Sequence, residues 1–292
     1  MSTSIWVRLG RSPRGRRLGL AGATLMVAAA VVVVVVALAG SGGRGPLTEA
    51  AATTTAGAAT RPAVPVPPVS DSELAALPAA DTFNTLAGAP TDPDPAADTD
   101  GTVAHNTQAL PVFSTPGGHL LARLPILEVG SPTWVPVVEQ QPGWVRVLLP
   151  TRPNGAAGWI DGSRVQLRHT PDEIRVHLGS TTLQLLRDGA IAGTWQVGIG
   201  TSGTPTPTGR TYLLASIHDT SQTFSPVILP LGFHSQVLDT FGTGPGTVAL
   251  HTWPDEHVFG APTSHGCIRV PDAALQALLI VPLGTLVVIS AA

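Results

Sequence analysis

The sequence predicts a mainly β protein: a small β-barrel, then a second β-rich domain with one short helix, both behind an N-terminal transmembrane helix. Three observations carry this. Short apolar stretches separated by Pro/Gly turn signals recur through residues 102–168. From Glu173 onward, apolar and polar residues alternate with the period of a half-buried strand. Near the N-terminus, Leu18–Ala39 runs 22 positions without a charge.

The chain has 292 residues, room for two domains and additional non-globular segments. Residues 1–17 contain five arginines and no acid, and form a basic cytoplasmic segment. The apolar run beyond them includes six consecutive valines. About 20 such residues at 1.5 Å each span a bilayer core, so residues 18–40 read as a transmembrane anchor. The arginines place its start in the cytoplasm and the remainder outside. A cleaved signal peptide is the alternative, because Ala37-Leu38-Ala39 has a small-x-small form, but the run exceeds the usual signal core.

Beyond Arg44 the chain carries 10 arginines against 19 acids, about −9, which argues against nucleic acid as a partner. Residues 41–101 are rich in Ala, Pro, Thr and Asp and lack the apolar content for a core. They read as an extended linker acting by length rather than by sequence, with only Leu74–Leu86 apolar enough to form a helix or pack onto the domain after it.

Within 102–169, turn signals at Pro116-Gly117-Gly118, Pro142-Gly143 and Pro153-Asn154-Gly155 divide the strands. Gly143-Trp144-Val145-Arg146-Val147 and Gly158-Trp159-Ile160 resemble the bacterial SH3-like domain. Trp144 and Trp159 are read as barrel core rather than as an exposed ligand platform.

Residues 172–292 form the second domain. Ile174–Leu178, Thr182–Leu186 and Ile191–Gly198 read as successive antiparallel strands, with the hairpin signal Asp188-Gly189 before the third. The run Gly203–Gly209 has prolines at 205 and 207 and must be a loop, since proline lacks the ladder donor. A helix is expected at Asp272–Ile280, capped by Asp272, with Leu275, Leu278 and Leu279 on one face. A final strand is expected at Thr285–Ser290.

The chain has one cysteine, Cys267, which has no intrachain disulfide partner. It stands two residues after His265 and 16 after His251. A thiol with a pKa near 8.5 needs a nearby base to become a nucleophile, and imidazole suits that task. His251 and Ser264-His265-Gly266-Cys267-Ile268-Arg269 together resemble the signature of the L,D-transpeptidase (YkuD-type) catalytic domain. Thr204-Pro205-Thr206-Pro207-Thr208-Gly209-Arg210 resembles the same family's upstream loop.

The resemblance implies a peptidoglycan L,D-transpeptidase forming 3→3 cross-links between stem peptides. Cys267 would be the nucleophile, His251 the base, and the Thr252 carbonyl the group that orients His251. His265 and Ser264 would support the site, while amides around Gly266 and Cys267 would form the oxyanion hole. Arg269 and His234 are candidate substrate-binding residues. Many relatives have Gly at the position of Thr252 and Asn at that of Arg269, and neither change removes a catalytic group. The same resemblance implies no cofactor and no metal, stem peptides as partners and carbapenems as inhibitors, and the N-terminal anchor implies an extracytoplasmic location. Three alternatives stay open on sequence alone: an L,D-carboxypeptidase, a non-catalytic wall-binding protein, and a metal site built from His251, His257, His265 and Cys267.

Overall fold

A computed structural model describes residues 62–292 except Thr243. The expected basic segment, the anchor and the first part of the linker lie outside the described residues. Among those described, no helix is long and apolar enough to cross a membrane.

Residues 102–169 form a seven-stranded sheet in the order Leu120–Leu124, Leu110–Phe113, Ala157–Asp161, Trp144–Leu148, Trp134–Gln141, Thr102–His105, Gln166–His169. Its pairings are antiparallel. Trp144 and Trp159 are buried with Phe113 in an aromatic cluster, as core residues should be. The larger core of this sheet takes in Leu110, Val112, Val147 and Ile160 and continues into Tyr212, Leu214, Ala215 and Leu286 of the second domain.

In residues 172–292 a five-stranded sheet runs Ala190–Gln196, Thr182–Arg187, Asp172–His177, Leu286–Ser290, Gly209–Tyr212. The three strands expected to be successive and antiparallel are so. The final strand, Leu286–Ser290, returns to lie parallel to Asp172–His177. A three-stranded sheet carries the chemistry-bearing residues, with Thr247–His251 between Leu229–His234 and Ile268–Arg269. Thr247–His251 and Ile268–Arg269 pair in parallel, which sets His251 opposite Arg269.

The helix near the C-terminus runs Asp272–Leu278 and is shorter than expected. Pro271 occupies the cap position without a side-chain bond, and Asp272 lies in the first turn, where its charge favours the helix dipole. Ala274, Leu275 and Leu278 are buried in the core, each leucine contributing about 1.5–3 kcal/mol. Leu279, expected on that face, is 37% exposed, because the helix ends before Pro282.

The largest correction concerns the linker. Residues 62–100 are a strap packed along the first sheet and pinned to the second domain. Ser70 caps the helix Asp71–Ala76 in a reciprocal capping box with Glu73. The Ala80 N–H donates to the Arg123 carbonyl at 2.8 Å, that of Leu86 to Arg152 at 2.8 Å, and that of Asp92 to Gly155 at 2.7 Å. Val66 and Val69 cover the aromatic cluster, and the Trp144 indole N–H donates to the Val64 carbonyl at 2.7 Å. The Asp92 carboxylate accepts two hydrogen bonds of 2.6 Å from Arg210, both side chains being almost fully buried. Composition misleads here because the strap needs no core of its own: it borrows those of the two domains.

Candidate active site

His251 ends its strand, and Cys267 immediately precedes the strand Ile268–Arg269 beside it. Both line one cavity of about 750 Å³. The turn holding Cys267 is closed by Ser264, whose hydroxyl donates to the Cys267 carbonyl at 2.5 Å and accepts the Gly266 N–H at 3.1 Å. Gly266 has φ +117, a region that disfavours any residue with a Cβ. The upstream loop clamps this turn: the Thr206 hydroxyl donates to the Gly266 carbonyl at 2.9 Å and accepts the Gly200 N–H at 2.9 Å. At Gly200 a Cβ would sit 2.3 Å from the Thr204 carbonyl oxygen, so the loop closes this tightly only on glycine.

His251 is buried, and its Nδ1 lies 2.7 Å from the Thr252 carbonyl oxygen. A carbonyl only accepts, so Nδ1 carries the proton and Nε2 is left as the basic nitrogen. Thr252 is itself held, its N–H donating to the Ser225 hydroxyl at 3.0 Å and its own hydroxyl to the Phe224 carbonyl at 2.9 Å. The Phe224 ring meets the imidazole edge-on at 4.9 Å. Burial lowers the His251 pKa, the Thr252 bond opposes that, and the Arg269 charge lowers it further. Burial likewise raises the Cys267 thiol, opposed by the Ala249 backbone and the Arg269 charge. Both directions favour a neutral thiol beside a neutral imidazole.

The remaining candidates separate. Arg269 is turned from the cavity, with its guanidinium 3.8 Å from the centre of the Trp253 ring and a bond of 3.1 Å to the Thr263 carbonyl. It touches the site through its field and is not placed to bind a substrate carboxylate. His234 is buried outside the cavity, its Nε2 lying 2.8 Å from the Thr82 carbonyl oxygen and 3.0 Å from the Thr82 hydroxyl, which makes it an anchor for the strap. His265 is exposed, and the Gly266 N–H expected to help hold an oxyanion is taken by Ser264. His257 is exposed and pairs with Asp255 at 2.9 Å. Among the described residues no three His, Cys, Asp or Glu side chains are grouped to hold a metal ion.

Sequence reasoning misses much of the cavity wall, including Phe83 of the strap, Val129 of the first domain, and Asp219, Phe224 and Phe241. For Phe83 a signal is present: it lies inside Leu74–Leu86, the stretch of the linker apolar enough to pack onto the domain after it. The others lie in loops whose approach to Cys267 has no periodic signature.

A cysteine and a histidine on one cavity, the imidazole oriented through Nδ1, are the equipment of nucleophilic acyl transfer. Residues 171–289 match the family model of the L,D-transpeptidase catalytic domain (YkuD). No curated protein matches the chain. Among solved structures, an L,D-transpeptidase from Mycobacterium smegmatis is 17% identical over 53% of this chain and 93% of its own, with a TM-score of 0.35. L,D-transpeptidase 3 from Mycobacterium tuberculosis, solved with a faropenem-derived adduct, is 14% identical over 53% and 93%, at 0.36. The catalytic domain of the E. faecium L,D-transpeptidase is 22% identical over 41% and 96%, at 0.33.

Proposed function

We propose that this protein is an exported, membrane-tethered peptidoglycan L,D-transpeptidase that forms 3→3 cross-links through a thioacyl-enzyme on Cys267. The observation that carries the reading is the oriented His251 sharing one cavity with Cys267 inside the segment that matches the transpeptidase family. As Cys267 Sγ attacks the carbonyl of the third residue of a tetrapeptide stem, His251 takes the thiol proton and the carbonyl becomes an oxyanion. The Cys267 N–H is the amide left to receive that charge, given the engagement of Gly266. The C–N bond to the terminal D-alanine then breaks, and the leaving amine takes the proton from His251. In the second half, a side-chain amine of another stem attacks the thioester. The C–S bond breaks as the new amide forms, and the amine proton returns by way of His251 to the thiol.

The Arg269 charge favours thiolate over thiol and disfavours the imidazolium that forms with it. The test is incubation of the protein with a disaccharide-tetrapeptide, followed by mass spectrometry of both products. A cross-linked dimer with release of D-alanine is expected, absent in Cys267→Ala. Trimmed tripeptide alone indicates an L,D-carboxypeptidase, and unchanged substrate a binding protein.

A further inference from the structure

We propose that Phe83 and Asp219 form the seat of the amine-bearing acceptor stem, so that a strap residue outside the matched catalytic domain selects the second substrate. This rests on the acyl-transfer reading above and adds to it which wall of the cavity receives which substrate.

The cavity wall is unbalanced in charge. Among the described residues it contains one carboxylate, Asp219, and no arginine, and the protein has no lysine to contribute. The rest of the lining is mostly aromatic, aliphatic or glycine, with Phe83, Phe224 and Phe241 the aromatic members. A carboxylate and an aromatic face both attract a cation, and away from the reaction centre at His251 and Cys267 no described side chain on this wall carries a positive charge. Arg269, the nearest candidate for an anion, is committed to Trp253 and Thr263. The group that fits is a primary ammonium carried on a peptide; His251, neutral after the first half-reaction, takes one proton from it and passes it to solvent, leaving the neutral amine to attack the thioester. Asp219 is kept ionised by two hydrogen bonds from Ser221, 2.8 Å from its N–H and 2.6 Å from its hydroxyl, which lower its pKa.

Phe83 is 63% exposed, yet it does not sit on a loose loop. The Asp81 carboxylate closes the turn beneath it, accepting the Phe83 N–H at 3.0 Å and the Asn84 side-chain amide at 2.7 Å. The preceding residue, Thr82, is fully buried, and its hydroxyl lies 2.7 Å from that of Thr247. Thr247 lines the cavity and begins the strand that ends at His251. An apolar ring is therefore held largely open to solvent at fixed register with the base, an arrangement suited to contact with a bound ligand.

The two half-reactions separate the outcomes. Using the full chain, acylation of Cys267 by a tetrapeptide donor is followed by intact mass, and transfer is measured against increasing tripeptide acceptor. Phe83→Ala and Asp219→Asn are each expected to raise the acceptor KM by about three- to fivefold, with donor acylation within about twofold of wild type. Phe83→Tyr keeps the aromatic face and should restore the KM, whereas Phe83→Leu should not. An acceptor acetylated on its side-chain amine should compete poorly with the free one. A small free diamine should be used less well than the stem if the peptide contributes, and equally well if the ammonium alone is read; either supports the ammonium seat. Unchanged acceptor KM in both variants, or an equal loss of donor acylation, overturns the assignment. Absence of any Cys267 adduct in the wild type instead overturns the acyl-transfer reading, and the assignment with it.

Discussion

The turn around Cys267 and the strap at residues 62–100 differ in how openly the sequence displays them. The turn is legible because its chemistry is local: a nucleophile, a glycine at φ +117 and a serine that closes the loop stand within four consecutive residues. The strap is opaque because its stability lies in partners far along the chain, such as Arg123, Arg152 and Arg210. Low apolar content excludes an independent core, but it does not exclude a segment that docks on the cores of others. Damage to the two regions should therefore have different signatures. Variants of the residues that pin the strap should change stability, whereas loss of the Cys267 thiol should change turnover in a protein that remains folded.

The buried ion pair gives the largest effect with which to test that contrast. Asp92→Ala leaves the Arg210 guanidinium buried without its countercharge, and removing one partner of such a pair costs about 3–5 kcal/mol. Urea unfolding of the full chain should show the midpoint falling accordingly. Replacing both residues together, Asp92→Leu with Arg210→Met, should recover much of the loss, since two apolar groups leave no orphaned charge. A wild-type midpoint in Asp92→Ala would mean that the strap contributes little to folding, and would reinstate the passive linker.

How far each residue is legible follows the same division. Cys267 and His251 stand out by type and spacing, the Thr252 carbonyl is implied by the family resemblance, and the structure has Cys267 and His251 line one cavity with the Thr252 carbonyl on the His251 Nδ1. Arg269 and His234 invite assignment to substrate because they are charged or titratable side chains near a motif. Burial decides otherwise: one stacks on Trp253 and the other holds Thr82. Strand existence in residues 172–292 follows from alternation, but the parallel return of Leu286–Ser290 beside Asp172–His177 does not. Pattern gives the face a strand buries, whereas its neighbour is chosen by the whole topology.

A second effect, smaller and dependent on pH, arises where the strap meets the first domain. Glu128 is almost fully buried, and burial together with the nearby Asp81 charge, partly opposed by the Thr82 backbone, raises its pKa to about 8. Because the folded state holds this proton more tightly than the unfolded chain, its contribution is fully present below about pH 4.5 and is lost as pH rises through 8. Each pKa unit corresponds to about 1.4 kcal/mol, so the loss approaches roughly 5 kcal/mol before relaxation and water entry reduce it. Glu128→Gln keeps the shape without the proton. Its stability should equal that of wild type near pH 5 and exceed it at pH 9, measured as the difference between two urea series so that other titrations cancel. Parallel curves for the two proteins would show that the carboxyl does not carry the pH dependence.

The smallest effect is a displacement of the pH–rate profile, and it distinguishes two states of the catalytic pair. A preformed thiolate–imidazolium pair raises the histidine pKa and lowers that of the cysteine, since each charge stabilises the other. The structure favours the reverse on both counts: burial pushes His251 below its ordinary value of 6.5 and the Cys267 thiol above its own of 9.0. The base must be neutral to accept a proton, so activity is lost as pH falls through the lowered His251 pKa. The acid limb of kcat/KM should accordingly lie below pH 6.5. Arg269→Gln removes a charge that disfavours the imidazolium, and should move that limb upward, toward the ordinary histidine value. The same change removes a charge that favours the thiolate, so direct alkylation of Cys267 at fixed pH should slow as the limb rises. An acid limb above 6.5 in the wild type would establish the ion pair as the resting state, and the site would then differ from its surroundings in polarity more than the buried geometry of His251 allows.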